Sequence, residues 1–327
     1  MTGGEPMRSV MRIAAGLALG LVGLAPATDA SAEYPEKPIR LIVPTQAGGG
    51  MDSVARILQR HFDETKALPQ NLVIVNMDGA GGTIGTRAVK DAEPDGYTIG
   101  FWHEGLVTSA AMGVVDYDHG AFEVLGATGY GDLGFGVGKD SAIQSFDDLI
   151  ATAEANPDSV KCATNVGLPV HFVPLMVQEA AGVQFRYVQV GGGAKRMPSV
   201  VAGHTDFAIF GALEFVGWAE AGLKPIIIFS DQRSPVLPDV PTAQEKGVDV
   251  IAKASRIWLA PKGTPPERLE YLTDALREAM SSPEVQQRFE DLGLVPRFVE
   301  PDEIEAELDS WRENTLPLVA KARELQG

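Results

Sequence analysis

Apolar positions along the chain follow two rhythms that alternate: short β-rich runs and longer stretches at helical spacing. Ile39-Arg40-Leu41-Ile42-Val43 is a compact β-rich run that stops at Pro44. Thr45-Gln46-Ala47-Gly48-Gly49-Gly50 follows. Val54, Ile57, Leu58 and His61 or Phe62 then recur at helix spacing, with Asp52 or Ser53 placed to cap the helix start. Leu72 to Val75 predicts a second strand, leading into Asn76-Met77-Asp78-Gly79-Ala80-Gly81-Gly82-Thr83-Ile84-Gly85 and a helix with Arg87, Ala88 and Val89. Glu93-Pro94-Asp95-Gly96 reads as a turn, and Tyr97 to Trp102 as a third strand. This βαβαβ rhythm predicts an α/β fold with a mostly parallel sheet covered by helices. Ligands of such sheets bind at the carboxyl ends of the strands, where both glycine turns fall.

The same reading continues downstream. Phe122 to Ala127 and Gly134 to Val137 predict strands. Ser145-x-x-Asp148 is a capping box opening a helix from Phe146 to about Ala155, and Asn156-Pro157 ends it. Val160 to Ala163, Phe185 to Gln189 and Ile226 to Ser230 predict further strands. Gly203-His204-Thr205-Asp206-Phe207 turns into another. Pro235 to Thr242 holds three prolines and is a stiff connection. In the tail, Leu269, Leu272, Leu276 and Ala279 define one helical face. Val285, Phe289 and Leu292 define a second, and Ile304, Leu308 and Trp311 a third. Pro283, Pro296 and Pro301 interrupt these helices, which excludes a coiled coil.

The start of the chain reads differently. Arg8 and Arg12 precede an uncharged apolar run from Ile13 to Ala25, and Ala30-Ser31-Ala32 fits a small-residue cleavage site. That is a secretory signal, expected to be cut near Ala32, with Met1 or Met7 as the start. Cys162 is the only cysteine, so no internal disulfide is possible. Acidic residues number 44 against 27 basic ones, and no basic run appears, which argues against nucleic acid. Zinc spacings, HExxH, an EF-hand loop and a GxSxG elbow are absent from the sequence. Neither a metal nor a cofactor is expected.

Strand, glycine turn and helix together make an anion pocket. Glycines let the backbone approach a ligand, and free amides at a helix start offer donors and a positive dipole end. The spacing matches neither GxGxxG nor GxxxxGK[ST], so it names no nucleotide. A plain βα turn explains the first stretch equally well.

Pro44 to Asp52, Asn76 to Gly85 and Pro94-Asp95-Gly96-Tyr97-Thr98 together resemble the Bug/TctC family, the periplasmic solute-binding proteins of tripartite tricarboxylate transporters. Tyr34-Pro35-x-Lys37-Pro38-Ile39, Arg233-Ser234-x-x-Leu237-Pro238-Asp239-Val240-Pro241-Thr242, Glu245-x-Gly247 and Trp258-x-Ala260-Pro261-x-Gly263-Thr264-Pro265 extend the resemblance to about Trp311. It implies a two-lobed, type II-like periplasmic binding fold, each lobe a mostly parallel sheet flanked by helices, with a ligand cleft between them. Residues 1–32 are then the signal, 33–130 with 250–327 the first lobe, and 131–249 the second. The implied partners are a small organic acid and the small and large membrane subunits of the transporter. A periplasmic monomer without catalytic residues is expected.

Carried over by position, the first-lobe carboxylate site falls on Thr45, Gln46, Ala47, Gly49 and Asp52, and on Ala80, Gly81, Gly82 and Thr83. Backbone amides would be the main contacts. Asp52 reads equally as a helix cap or a ligand contact. A side chain at Gly82 is expected to cost affinity while sparing the fold. The second lobe contributes Thr164, Asn165 and His171. There the sequence departs from the family, with Asn165 and Leu168 in the loop and Pro174 after His171. Gln189 and Val190 stand where a basic residue is usual, while Lys195 and Arg196 read as helix-surface residues or, alternatively, as replacements for that missing charge. Asp206 reads as a loop brace or as a partner for a ligand amino group. Phe101-Trp102-His103-Glu104-Gly105 is also unlike the family, and His103 is a further ligand candidate. Two other readings stay open: an exported hydrolase using His103 or His171, and a ligand sensor docking to a signalling receptor.

Overall fold

The computed structural model describes residues 1–4 and 34–324; the signal-like segment from Arg8 to Ala32 lies outside the described residues. From Tyr34 the chain folds as one unit. Its first section runs β1 (Ile39–Val43), α1 (Gly50–Thr65), β2 (Leu72–Asn76), α2 (Thr83–Lys90), β3 (Thr98–Trp102), α3 (Gly105–Ala111) and β4 (Phe122–Gly138). Next come α4 (Phe146–Ala155), β5 (Lys161–Thr164), α5 (Pro169–Ala181), β6 (Arg186–Gln189), α6 (Gly193–Val201), β7 (Phe207–Gly211), α7 (Ala212–Trp218) and β8 (Leu223–Ile228). The chain closes with β9 (Lys253–Pro261), α8 (Pro266–Ser281), α9 (Pro283–Glu290), β10 (Val295–Val299), α10 (Pro301–Thr315) and α11 (Val319–Glu324).

The strand order is β2-β1-β3-β9-β4-β7-β5-β6, with β8 and β10 also paired to β4. The expected parallel pairing holds for β2-β1-β3 and β6-β5-β7. The returning strands β4, β9 and β10 pair antiparallel, so the sheet as a whole is mixed. Phe122 to Ala127 and Gly134 to Val137 are not separate strands but parts of β4. This 17-residue strand pairs with β9 and β10 in its first part and with β7 and β8 in its last.

Aromatic side chains weld each section. Phe101 of β3 lies 4.7 Å from Trp258 of β9, whose indole N–H donates to Thr128 Oγ1 at 2.8 Å. Phe135 packs at 4.7 Å against both Phe207 and Phe229. The tail helices bury the stripes their spacing predicts: Leu272, Leu276 and Ala279, then Val285 and Phe289, then Ile304, Leu308 and Trp311. β10 was not foreseen. Pro296 within it resembles a helix breaker, yet β10 pairs only with β4 and its register shifts between Val295 and Phe298, where the missing N–H is tolerated. Lys321 on the last helix, α11, pairs with Glu179 on α5.

Candidate ligand-binding site

Asp52 ties down the loop after β1. Gly49, not Asp52 or Ser53, is the N-cap of α1, and Asp52 sits inside the first turn. It is 1 % exposed. Its Oδ2 accepts from the Gly48 amide and Arg56 Nε, both at 2.8 Å, and its Oδ1 accepts from Asn76 Nδ2 at 3.0 Å. Burial alone would raise its pKa, but these three donors outweigh it and hold the carboxyl below the usual range. Asn76 also donates to Thr45 O at 3.2 Å, and Gln46 Nε2 donates to Asp78 Oδ2 at 2.8 Å. The two glycine turns are thus laced together. The first main-chain bond of α1 runs from Ser53 N to Gly49 O, which leaves the preceding helix amides without an intrahelical acceptor.

The second turn is wound almost wholly through the left-handed region, with φ of 130° at Gly79, 46° at Ala80, 67° at Gly81 and 92° at Gly82. Glycine meets that demand without Cβ strain. Gly81 is exposed, whereas Gly82 is buried against the Trp102 indole. Gly82 is therefore a packing position as well as a loop position, which corrects the expectation that a side chain there spares the fold. Thr83 starts α2, with its hydroxyl donating to Ala80 O at 2.9 Å.

The loop after β5 faces this turn: a Cβ added to Gly81 would lie 3.5 Å from Leu168 Cδ2. Helix α5 starts early, at Pro169, with Pro174 inside it, so the start is not delayed and His171 lies fully buried in the first turn. Its Nδ1 accepts from the Gly167 amide at 3.3 Å, which assigns the proton to Nε2, and that enclosed Nε2 has no partner. Burial pushes the ring down to about 4. Thr164 donates to Val170 O at 3.1 Å. Gln189 replaces a cation with a brace, accepting from the Val166 amide at 2.7 Å and donating to Asn165 Oδ1 at 3.0 Å. Thr45 Oγ1, in the loop after β1, is also enclosed without a partner.

His103 stacks on Trp102 at 4.1 Å, and its Nδ1 accepts from the Gly105 amide at 3.0 Å. Packing around this half-buried ring pushes it down to about 3, with Arg256 adding to the effect. It is a neutral imidazole with Nε2–H as its remaining donor. Glu104 turns the other way, accepting from the Ser255 amide at 2.8 Å, and burial pushes it up to about 7.

Asp206 and Arg196 each take a definite place here. Asp206 accepts from the Lys161 amide at 2.7 Å, at the start of β5 and β7. The ligand loop leaves the opposite end of β5, about 10 Å away at the usual strand rise. The bond to Lys161 is the loop brace, the first of the two roles the sequence offered for Asp206. Arg196 is buried, not a surface residue, and donates to Gly191 O at 2.8 Å and Ile209 O at 3.0 Å. Asn76 and Gln189 lacked assigned roles in the sequence; the signal for Asn76 was a polar residue ending an apolar strand.

Two open cavities of about 460 and 380 Å³ lie elsewhere, between α5, the 249–255 segment and α10. Glu179 and Asp249 line the first, and Glu104, Asp249 and Glu307 the second. Lys253 in the second is already paired with Asp231 at 2.9 Å. Among the described residues, no group of three or more His, Cys, Asp or Glu is placed to hold a metal ion.

The profile of the tripartite tricarboxylate transporter family receptor, TctC, matches residues 54–306. A protein of Agrobacterium vitis, from the TAR-I ttuE-ttuC′ intergenic region, is 32% identical over 279 residues, covering 82% of this chain and 78% of its own. The periplasmic binding protein BugD superposes with a TM-score of 0.72 at 28% identity, covering 88% of this chain and 98% of its own. MatC from Rhodopseudomonas palustris, with bound malate, superposes with a TM-score of 0.74 at 25% identity, covering 88% and 100%.

Proposed function

The chain belongs to the tripartite tricarboxylate transporter receptor family, whose members are periplasmic solute-binding proteins, and from that premise we propose that it captures a small organic acid for a transporter of this type. A receptor of this family binds and releases its solute; it is not an enzyme.

One observation carries the proposed site. The glycine turn after β2 meets the loop after β5 at Gly81 and Leu168, and two loops of the proposed site each carry an enclosed polar atom without a partner, Thr45 Oγ1 after β1 and His171 Nε2 at the start of α5. Enclosed polar groups of this kind are costly unless a ligand or water satisfies them. In this reading, amides of the Thr45–Gly49 and Ala80–Thr83 turns hold one carboxylate. Asp52 acts on them indirectly, by fixing Gly48 and Asn76. Thr164, Asn165 and His171 approach from the other side, and His103 offers a neutral N–H. The division into residues 33–130 with 250–327 and residues 131–249 supplies the two lobes, which close over the acid and exclude water. MatC with its malate is a relative consistent with a carboxylate.

The partners in this reading are the small and large membrane subunits, reached by a monomeric receptor released from a signal cut near Ala32. Titration calorimetry of periplasmic protein against mono-, di- and aromatic carboxylates tests it. One site with micromolar or better affinity is expected. Absence of binding to every carboxylate, or steady conversion of one by pure protein, overturns the reading.

A further inference from the structure

We propose that Arg256 takes a second acidic group of the solute, so that the receptor selects diacids over monoacids. This rests on the carboxylate-receptor reading above.

The position comes from strand register. Ile257 of β9 pairs with Trp102, which sets Arg256 beside His103 at the carboxyl end of β3. Ala254 pairs with Gly131 of β4, and two residues further along β4, Leu133 pairs with Gly211 at the end of β7. Arg256 therefore stands at the seam where β4 leaves β9 and joins β7, between the strand ends of the two sections. Gly131 leaves room beside it: a Cβ there would stand 3.6 Å from Arg256 Nη2.

The guanidinium is under-used. Nη1 donates to Ala254 O at 2.6 Å, while Nε is enclosed and has no partner. Among the described residues, Arg256 has no carboxylate within 4.0 Å. Arg196, which is buried, spends both terminal nitrogens on backbone carbonyls of its own section and is a brace. Exposed arginines such as Arg233, Arg277 and Arg297 all pair with acids. A chain with 44 acidic and 27 basic residues has thus left its seam cation without a carboxylate in ion-pair contact. Burial lowers the Arg256 pKa, and only the field of Glu104 opposes that. A cation in such surroundings is costly when unpaired, and an incoming carboxylate relieves the cost through the fork geometry of arginine. The loop amides hold one acid group without any cation. One solute that satisfies both is a diacid.

The test is titration calorimetry of the mature receptor against linear dicarboxylates of increasing length, each with its monoamide. Wild type is expected to prefer the best diacid over its monoamide by about tenfold or more, the scale of one charge-assisted bond. Arg256→Gln should lose about 10- to 100-fold for the diacid while its monoamide affinity stays within a few-fold. Arg256→Lys should fall between, because it keeps charge without the fork. Without ligand, Arg256→Gln should melt at or above the wild-type temperature, which a merely structural arginine would not allow. A diacid preference that survives in Arg256→Gln overturns the proposal, as does equal loss for both ligands alongside a lowered melt. Equal wild-type affinity for diacid and monoamide overturns it while the receptor reading stands. If wild type binds no carboxylate, both fall.

Discussion

The Cβ that Gly82 lacks would stand 2.2 Å from Cζ2 of the Trp102 indole. Trp102 is 5 % exposed and stacked on His103, so it has nowhere to retreat. The loop that offers amides to a ligand is thereby seated on the end of β3. Gly82→Ala is expected to lower stability by about 2–4 kcal/mol, from overpacking and from a Cβ at φ 92°. Urea unfolding measures it. A melt within 0.5 °C of wild type would remove this contact from the account.

Gly81→Ala separates binding from folding. Its Cβ meets only Leu168, at an ordinary 3.5 Å, and Ala80 already holds a positive φ next door. The expected cost is about 1 kcal/mol of stability, with a tenfold or larger loss of carboxylate affinity if the turn's amides shift. Calorimetry beside a thermal melt reads both. Unchanged affinity would move the site off this turn.

Asp52 links the loop to pH. Its folded pKa lies below the ordinary carboxylate value, because Arg56, Gly48 and Asn76 together outweigh the opposing effect of burial. The stability it contributes is present above the unfolded pKa and is lost as pH falls through the folded one. Asp52→Asn should therefore be destabilised by about 1–3 kcal/mol at pH 7, and the gap to wild type should narrow as pH falls below the ordinary aspartate range. A gap independent of pH would argue that shape, not charge, holds the loop.

Glu104 acts with the opposite sign. Burial raises it from 4.5 to about 7, so its contribution is full below pH 4.5 and is lost as pH rises through 7. His103 and His171 are depressed, and their contribution is lost as pH falls below the ordinary imidazole value. Comparing wild type with Glu104→Gln cancels the histidines. Between pH 4.5 and 7.5 the difference should move against wild type by on the order of 2–3 kcal/mol. A flat difference would mean that the carboxyl ionises normally.

Asp206→Asn and His171→Gln should part company. The first weakens the bond from the Lys161 amide and is expected to cost about 1 kcal/mol of stability with affinity within a few-fold. The second changes an enclosed donor at the proposed site and should lower affinity about tenfold or more. Similar affinities for both variants would place His171 outside the site.

Local pattern by itself determined much of this protein. Period and turn chemistry marked β1 and β2 with their glycine turns, the Ser145 cap of α4, and the three tail stripes, because each depends on neighbours within a few residues. Spacing of short motifs from Pro44 to Pro265 carried the family. The tertiary structure decided what local pattern cannot encode. Asp206 and Thr164 lie near opposite strand ends, which depends on the parallel register of β5 with β7. Trp102 lies under Gly82 because β3 and α2 pack against each other. Arg256 is an unremarkable polar position in a β-rich run. It becomes a cation without an ion-pair partner only when β4 carries the chain from β9 to β7, because charge pairing is set by distance in space and not along the sequence.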